Sequence, residues 1–253
     1  MKKIILSFVT IISLFSCSSN PNEVEKANLE GNWISKDYQE HIETNHSPKQ
    51  VLMDIAFYTT ELVVDTKRFK DSLVVYNGQK ERANLPFKRV GDTLKLKING
   101  EVITNLVYSK ADNSLSFVDQ KLNRVFRFVR ADSLDLDKSY EMPIAFPTIV
   151  NKATIVGKFD LYENNAKQQI VEFTKFGGIK GWGKYGTFSV GVNDDAMSVF
   201  EGDLITCFGA KESNFFAFDA TKKDTITFHN VSMDNKTKQI YKENVQVLLV
   251  RRK

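Results

Sequence analysis

The chain has 253 residues, 35 Lys and Arg against 31 Asp and Glu, and a formal charge of +4. Charge this close to balance offers no basic stripe for nucleic acid, and two cysteines exclude a disulfide-stapled scaffold. Stability must come from apolar cores, and the length suits two domains of ordinary size.

Residues 1–16 read in the order of an export signal: Lys2 and Lys3 for charge, an apolar run over 4–15, and the small Ser16 before a cut. The run is too short to span a bilayer, which needs about twenty residues. Leu14-Phe15-Ser16-Cys17 resembles a bacterial lipobox, with Leu14 and Ser16 matching the pattern and Phe15 departing from it. That resemblance implies cleavage before Cys17, lipid on its sulfur, and a protein held at the outer membrane on its periplasmic or cell-surface face. Residues 17–28, opening on the polar, turn-rich Ser18-Ser19-Asn20-Pro21-Asn22, then form the lipid-anchored tether. With Cys17 acylated, Cys207 is the one remaining thiol, and beside Ile205 and Phe208 it reads as a small buried hydrophobe.

Beyond the tether, two segments of about a hundred residues show ordered self-similarity. Leu29-Glu30-Gly31-Asn32-Trp33 is echoed by Ile155-Val156-Gly157-Lys158-Phe159, and Phe126-Arg127-Phe128-Val129-Arg130 by Val247-Leu248-Leu249-Val250-Arg251. Each half opens on Gly-x-aromatic and closes on an apolar strand ending in arginine. The spacing gives units at 29–131 and 153–253, joined by a linker at 132–152 that carries Pro143, Pro147 and several acidic residues. Ile144-Ala145-Phe146 is apolar enough to dock that linker against a domain.

Early in the first unit, His41, Glu43 and His46 fall close together, but their spacing matches neither one helical nor one strand face, and the turn-like Glu43-Thr44-Asn45-His46-Ser47-Pro48 reads as a polar loop. Residues 47–60 carry two patterns: Ser47-Pro48 with Gln50 makes a fair helix start, while Val51, Met53, Ile55 and Phe57 alternate as a strand does. The alternation is the stronger pattern. Residues 93–98 alternate strictly, Asn99-Gly100 predicts a type I′ turn, and 102–108, 114–118 and 125–129 predict further strands. In the second half the same pattern predicts strands over 157–162, 169–173, 187–192, 204–208, 215–218, 225–228 and 245–250. Short, regularly spaced strands mean an all-β sandwich or barrel.

Gly31-x-Trp33, Gly91-Asp92-Thr93-Leu94-Lys95-Leu96, residues 102–106, Ser114-Leu115-Ser116-Phe117 and Phe128-Val129-Arg130 together resemble the lipocalin-like domains of gram-negative lipoproteins. The resemblance covers most of 29–131 and is weaker over 153–253, where Phe159 stands in place of tryptophan. It implies two small antiparallel lipocalin-like β-barrels in tandem. It also implies that an arginine packs across the aromatic ring at one barrel end, pairing Trp33 with Arg130 and Phe159 with Arg251. Those four residues are structural in this reading.

Phe176-Gly-Gly-Ile-Lys-Gly-Trp-Gly-Lys-Tyr-Gly holds much of the chain's glycine and formally contains Gly-x-Gly-x-x-Gly at Gly181, Gly183 and Gly186. The dinucleotide fingerprint must open a helix, whereas a strand follows here, so no cofactor is implied. A hairpin with tight turns is the plain reading. Its functional variant is a loop at a barrel mouth, with Phe176, Trp182 and Tyr185 gripping an apolar or glycan ligand. Asp-Ser/Thr-apolar triplets start at Asp71, Asp92, Asp132 and Asp224 and resemble O-glycosylation sites of gram-negative exported proteins; Ser133, in the linker, is the one candidate not at a strand start. No catalytic or metal-ligating constellation stands out. The expectation is a membrane-tethered, non-enzymatic binding or assembly module for a small apolar or glycan ligand or an envelope protein. The alternative is an exported hydrolase or enzyme inhibitor using the Gly-rich loop at 176–192.

Overall fold

The computed structural model describes residues 29–49, 59–77, 82–119, 123–131, 145–191, 200, 202–222, 224–234, 236–237 and 239–252. The lipobox with Cys17, the tether, the alternation at 51–57 and the Ser133 triplet lie outside the described residues.

The chain is all-β in its framework. In the first half eight strands follow one another: β1 (Gly31–Ser35), β2 (Glu61–Val64), β3 (Ser72–Tyr76), β4 (Arg82–Val90), β5 (Thr93–Ile98), β6 (Glu101–Ser109), β7 (Ser114–Asp119) and β8 (Arg124–Arg130). Each pairs antiparallel with the next, and β8 returns to β1 with Trp33 opposite Arg130, closing an up-and-down barrel. Closure leaves the sheet without an outer edge strand. The period of two decides what lies inside: Leu94 and Leu96 on β5, Leu106 and Tyr108 on β6, and Phe126 and Phe128 on β8 are all buried in one cluster. Burying a side chain of this size is worth about 1.5–3 kcal/mol. At the β5–β6 hairpin Asn99 and Gly100 both have positive φ, 52° and 87°, as a type I′ turn requires. β4 accommodates Pro86, paired with Ser72, while Phe87 N–H donates to Asp71 O at 2.8 Å.

The second half contributes β9 (Gly157–Glu163), β10 (Ala166–Phe173), β11 (Ile179–Lys180), β12 (Thr187–Val190), β13 (Asp203–Phe208), β14 (Ser213–Asp219), β15 (Thr225–Met233) and β16 (Ile240–Arg251). They form one sheet in the order β11-β10-β9-β16-β15-β14-β13-β12. Its two edges meet at a single bridge, Gly178 to Thr187. The enclosed face is aromatic: Phe173 lies 5.3 Å from Phe188 and 6.3 Å from Phe228, centroid to centroid, both edge-on.

Three helices are bounded within the described residues. The first, α1 (Lys36–Asn45), runs into the start of the stretch that reads as a polar loop, taking in Glu43 to Asn45. Ser35 caps it by accepting from Tyr38 N–H, and His46 ends it in the left-handed region at φ 53°. Its apolar stripe is only Tyr38 and Ile42, one turn apart and both buried. A single turn, α2 (Thr66–Phe69), joins β2 to β3. The third, α3 (Ala145–Thr154), begins inside the stretch that reads as a linker. Pro147 is compatible with it because proline is tolerated in a first turn, where N–H groups have no helical partner. Ala145, Phe146, Thr148, Ile149, Val150 and Asn151 are buried, so this part of the stretch packs as a helix in the core rather than running as an extended connection.

The core around α3 is continuous across the two halves. Ile34, Tyr38, Ile42 and Ala131 from the first half share one buried cluster with the aromatic core of the second. Tyr38 packs on Phe146 with ring centroids 4.5 Å apart, and His46 Nδ1 lies 2.6 Å from Ala153 O.

Candidate functional site

Four features bear on function: the arginine-closed ends, the Gly-rich run, the acidic seam between the halves, and a groove in the first barrel wall. At the first of these, Arg130 sits over Trp33, its guanidinium 4.5 Å from the ring centroid. Arg130 Nη1 donates to Glu30 O at 2.5 Å, Arg130 Nε to Asn113 Oδ1 at 3.2 Å, and Trp33 Nε1 to Leu29 O at 2.9 Å. The second half repeats the arrangement: Arg251 lies 4.8 Å from the Phe159 centroid and Nη1 donates to Val156 O at 3.0 Å. Glu30 and Val156 each precede the opening glycine, so the internal repeat extends to the acceptor of the arginine. The guanidinium satisfies a strand-end carbonyl while covering an aromatic face, which an apolar plug would not do.

Gly157 explains why each half opens on glycine. Its φ is +151°, and a Cβ there would collide with Nη1 of Arg251. Gly157→Ala is therefore expected to lower stability by about 2 kcal/mol or more, read as a shift in urea midpoint. Gly91→Ala is the control: φ is +59° but nothing lies within 4 Å of the new methyl, so only the backbone penalty of about 1 kcal/mol is expected.

The Gly-rich run ties the edges of the second sheet together. Ile179 N–H donates to Gly186 O at 2.8 Å, Phe188 N–H to Gly177 O at 2.7 Å, and Gly186 N–H to Phe208 O at 2.9 Å. Gly181, at φ +81°, packs so closely on Ile170 O that a Cβ would overlap it. This draws Trp182 and Tyr185 inward, where they are 3% and 5% exposed. Trp182 stacks edge-on with Tyr185 at 4.7 Å and reaches Glu163 Oε1 with its indole N–H at 3.3 Å. Asn214 Nδ2 donates to the Tyr185 hydroxyl. Both rings are core, and the exposure that gripping a ligand requires is absent. Phe176 alone of the three is at the surface, 41% exposed, with Lys175 Nζ 4.8 Å from its ring.

The seam between the halves holds buried acids. Glu61, at the start of β2, is fully buried, and its Oε2 accepts from Phe146 N–H at 3.2 Å, capping α3 from the other half of the chain. Burial pushes its carboxyl up to about 7 against the opposing effect of the Phe146 and Ala145 amides. Asp203 accepts from Lys49 N–H at 2.8 Å and is likewise raised by burial. Glu61 Oε1 and the Tyr38 hydroxyl are buried with no hydrogen-bond partner among the described residues. Cys207 is buried, its thiol pushed up to about 12 by desolvation, which leaves it unreactive.

A groove of about 800 Å³ opens between β6 and β7. It is lined by Val102, Ile103, Thr104, Asn105, Val107, Ser116, Phe117, Val118 and Asp119. β6 and β7 pair only from Val107–Ser116 to Ser109–Ser114, so the strands part above that point. A bulge in β6 between Val102 and Thr104 accompanies the parting.

His41 lies within α1, and among the described residues no group of His, Cys, Asp and Glu is arranged to hold a metal ion. Asp71, Asp92 and Asp224 each stand just before a strand start. Among the described residues no helix is long and apolar enough to cross a membrane. No protein-family model matches this sequence, and no curated protein matches it significantly.

Proposed function

We propose that the chain is an outer-membrane lipoprotein, anchored through Cys17, whose two lipocalin-like β units bind an envelope protein rather than carry out a reaction. The observation that carries the binding role is the contrast between interior and wall. Both halves carry buried clusters of apolar side chains, Trp182 among them, while the groove between β6 and β7 is lined by the exposed Val102, Ile103, Val107 and Val118. That contrast favours a partner protein over a small ligand held inside a cup. Burial of Trp182 and Tyr185 also counts against a hydrolase or inhibitor that would use them as an exposed platform at the Gly-rich run.

The anchor is tested by fractionation and intact mass. Native protein is expected in the detergent-extracted membrane fraction carrying the added mass of lipid, and Cys17→Ser protein in the soluble envelope fraction without it. Cys17→Ser protein that stayed with the membrane would overturn the tether. For the binding role, crosslinking in whole cells from Val118 is expected to capture a reproducible envelope protein that a probe at Gln168 on β10 does not.

A further inference from the structure

We infer that the parting of β6 and β7 is a strand-addition site, which takes an extended peptide segment of a partner protein into the wall of the first barrel. This deepens the proposed binding role and rests on it.

The lips of the groove are main chain as much as side chain. Tyr108 N–H donates across to Asp92 O on the β5 side at 2.8 Å. Antiparallel alternation then turns the N–H and C=O of Leu106 toward β5 and those of Val107 and Asn105 toward β7. Pairing with β7 stops at Val107 opposite Ser116. On β7 the same alternation turns Ser116 and Val118 toward β6. Asn105 and Val118 therefore present donor and acceptor pairs to the groove from its two sides, beyond the last paired residues. Beside them stand apolar side chains with little cover: Ile103 and Val102 are 50% exposed, Val107 44% and Val118 57%.

An edge that offers main-chain hydrogen bonds next to exposed β-branched residues is a template for another strand. A closed barrel ordinarily removes such edges, and here two are kept. A strand between the lips would bond to both and place alternate side chains against Ile103, Val107 and Val118. An acyl chain would cover the same N–H and C=O groups without bonding to them, which is costly. Among the described lining residues the one ionisable member is Asp119, so a fatty-acid carboxylate would meet no cation there.

The test uses the detergent-solubilised full mature chain and linear peptides selected on it from a displayed library. Selected peptides are expected to alternate apolar residues, and adding one is expected to slow amide exchange at Asn105 and Val118. Val118→Pro removes the donor facing the groove and leaves the β8 ladder intact, so it is expected to weaken binding about tenfold or more. Val118→Lys, at an exposed position, is expected to weaken it also. Equal binding by both variants, slowed amides elsewhere, no selected peptide, or slowing at these amides by a long-chain fatty acid but by no peptide would each overturn the inference. Should the proline variant fail to fold, the exchange measurement on the native chain decides. The Cys17 tether stands or falls separately, because Cys17→Ser protein retains the groove.

Discussion

Replacing Trp182 by alanine is expected to destabilise the protein by about 3–5 kcal/mol, the cost of deleting a large aromatic side chain from a packed core. The indole touches rings from three parts of the second sheet: Phe173 at 6.3 Å, Tyr185 at 4.7 Å and Phe228 at 6.2 Å, centroid to centroid. It also holds a hydrogen bond to Glu163, a carboxylate already engaged by Lys184 Nζ at 3.1 Å. Losing the ring leaves a void where the two sheet edges are joined, so the Gly-rich run has nothing to fold onto. Urea denaturation followed by circular dichroism measures the loss. Phe176→Ala, six residues earlier and largely solvated, is expected to change stability by no more than about 0.5 kcal/mol. Comparable losses in the two variants would refute the assignment of Trp182 to the core.

Stability of the seam is expected to fall as pH rises from about 4.5 to 7, and to level off above that. Glu61 has a carboxyl raised from 4.5 to about 7 by burial. Below the lower value it is protonated whether folded or unfolded. Between the two values the unfolded chain releases the proton and the folded chain keeps it, so each increment of pH favours unfolding. Across the window the loss is about 3 kcal/mol. Asp203, also raised by burial, acts in the same direction. His229, lowered mainly by desolvation, acts in the opposite one but is only partly buried. Glu61→Gln separates these effects, since the amide oxygen can still accept from Phe146 N–H and carries no charge. Its urea midpoint is expected to exceed the native one at pH 8 and to match it near pH 4.5. A native protein whose midpoint rises from pH 5 to pH 7 would refute the assignment.

Strands announced themselves wherever one face is apolar and the other wet. Residues 93–98 alternate because Leu94 and Leu96 face inward while Lys95 and Lys97 do not, and Asn99-Gly100 is one of the few dipeptides suited to two positive φ values. β2, β3 and β4 were harder to read, because they are short or, in β4, interrupted by Pro86. α1 was illegible for a different reason: two buried residues in ten make too narrow a stripe to register as a helix, and its cap contributes more to the signal than its periodicity does. Prolines flanking Ile144-Ala145-Phe146 read as a linker, although Pro147 falls within the first turn of α3, where it costs the helix no hydrogen bond. The inward turn of Trp182 depends on the positive φ of Gly181, which composition alone does not fix. Glu61 had no local sign at all, since its partner is an amide 85 residues away along the chain.

Under the proposed anchor at Cys17, the direction of β1 would set the stance of the molecule on a membrane. β1 starts at the end sealed by Arg130 and Trp33 and finishes at Ser35, where α1 leads toward the other half. With Cys17 as anchor, the sealed end is the foot. Twelve fully extended tether residues would let it stand no more than about 40 Å from the bilayer. The parted ends of β6 and β7 lie at the opposite end, where the β5–β6 hairpin turns. A partner strand would therefore be met on the side facing away from the lipid, within a radius set by the tether.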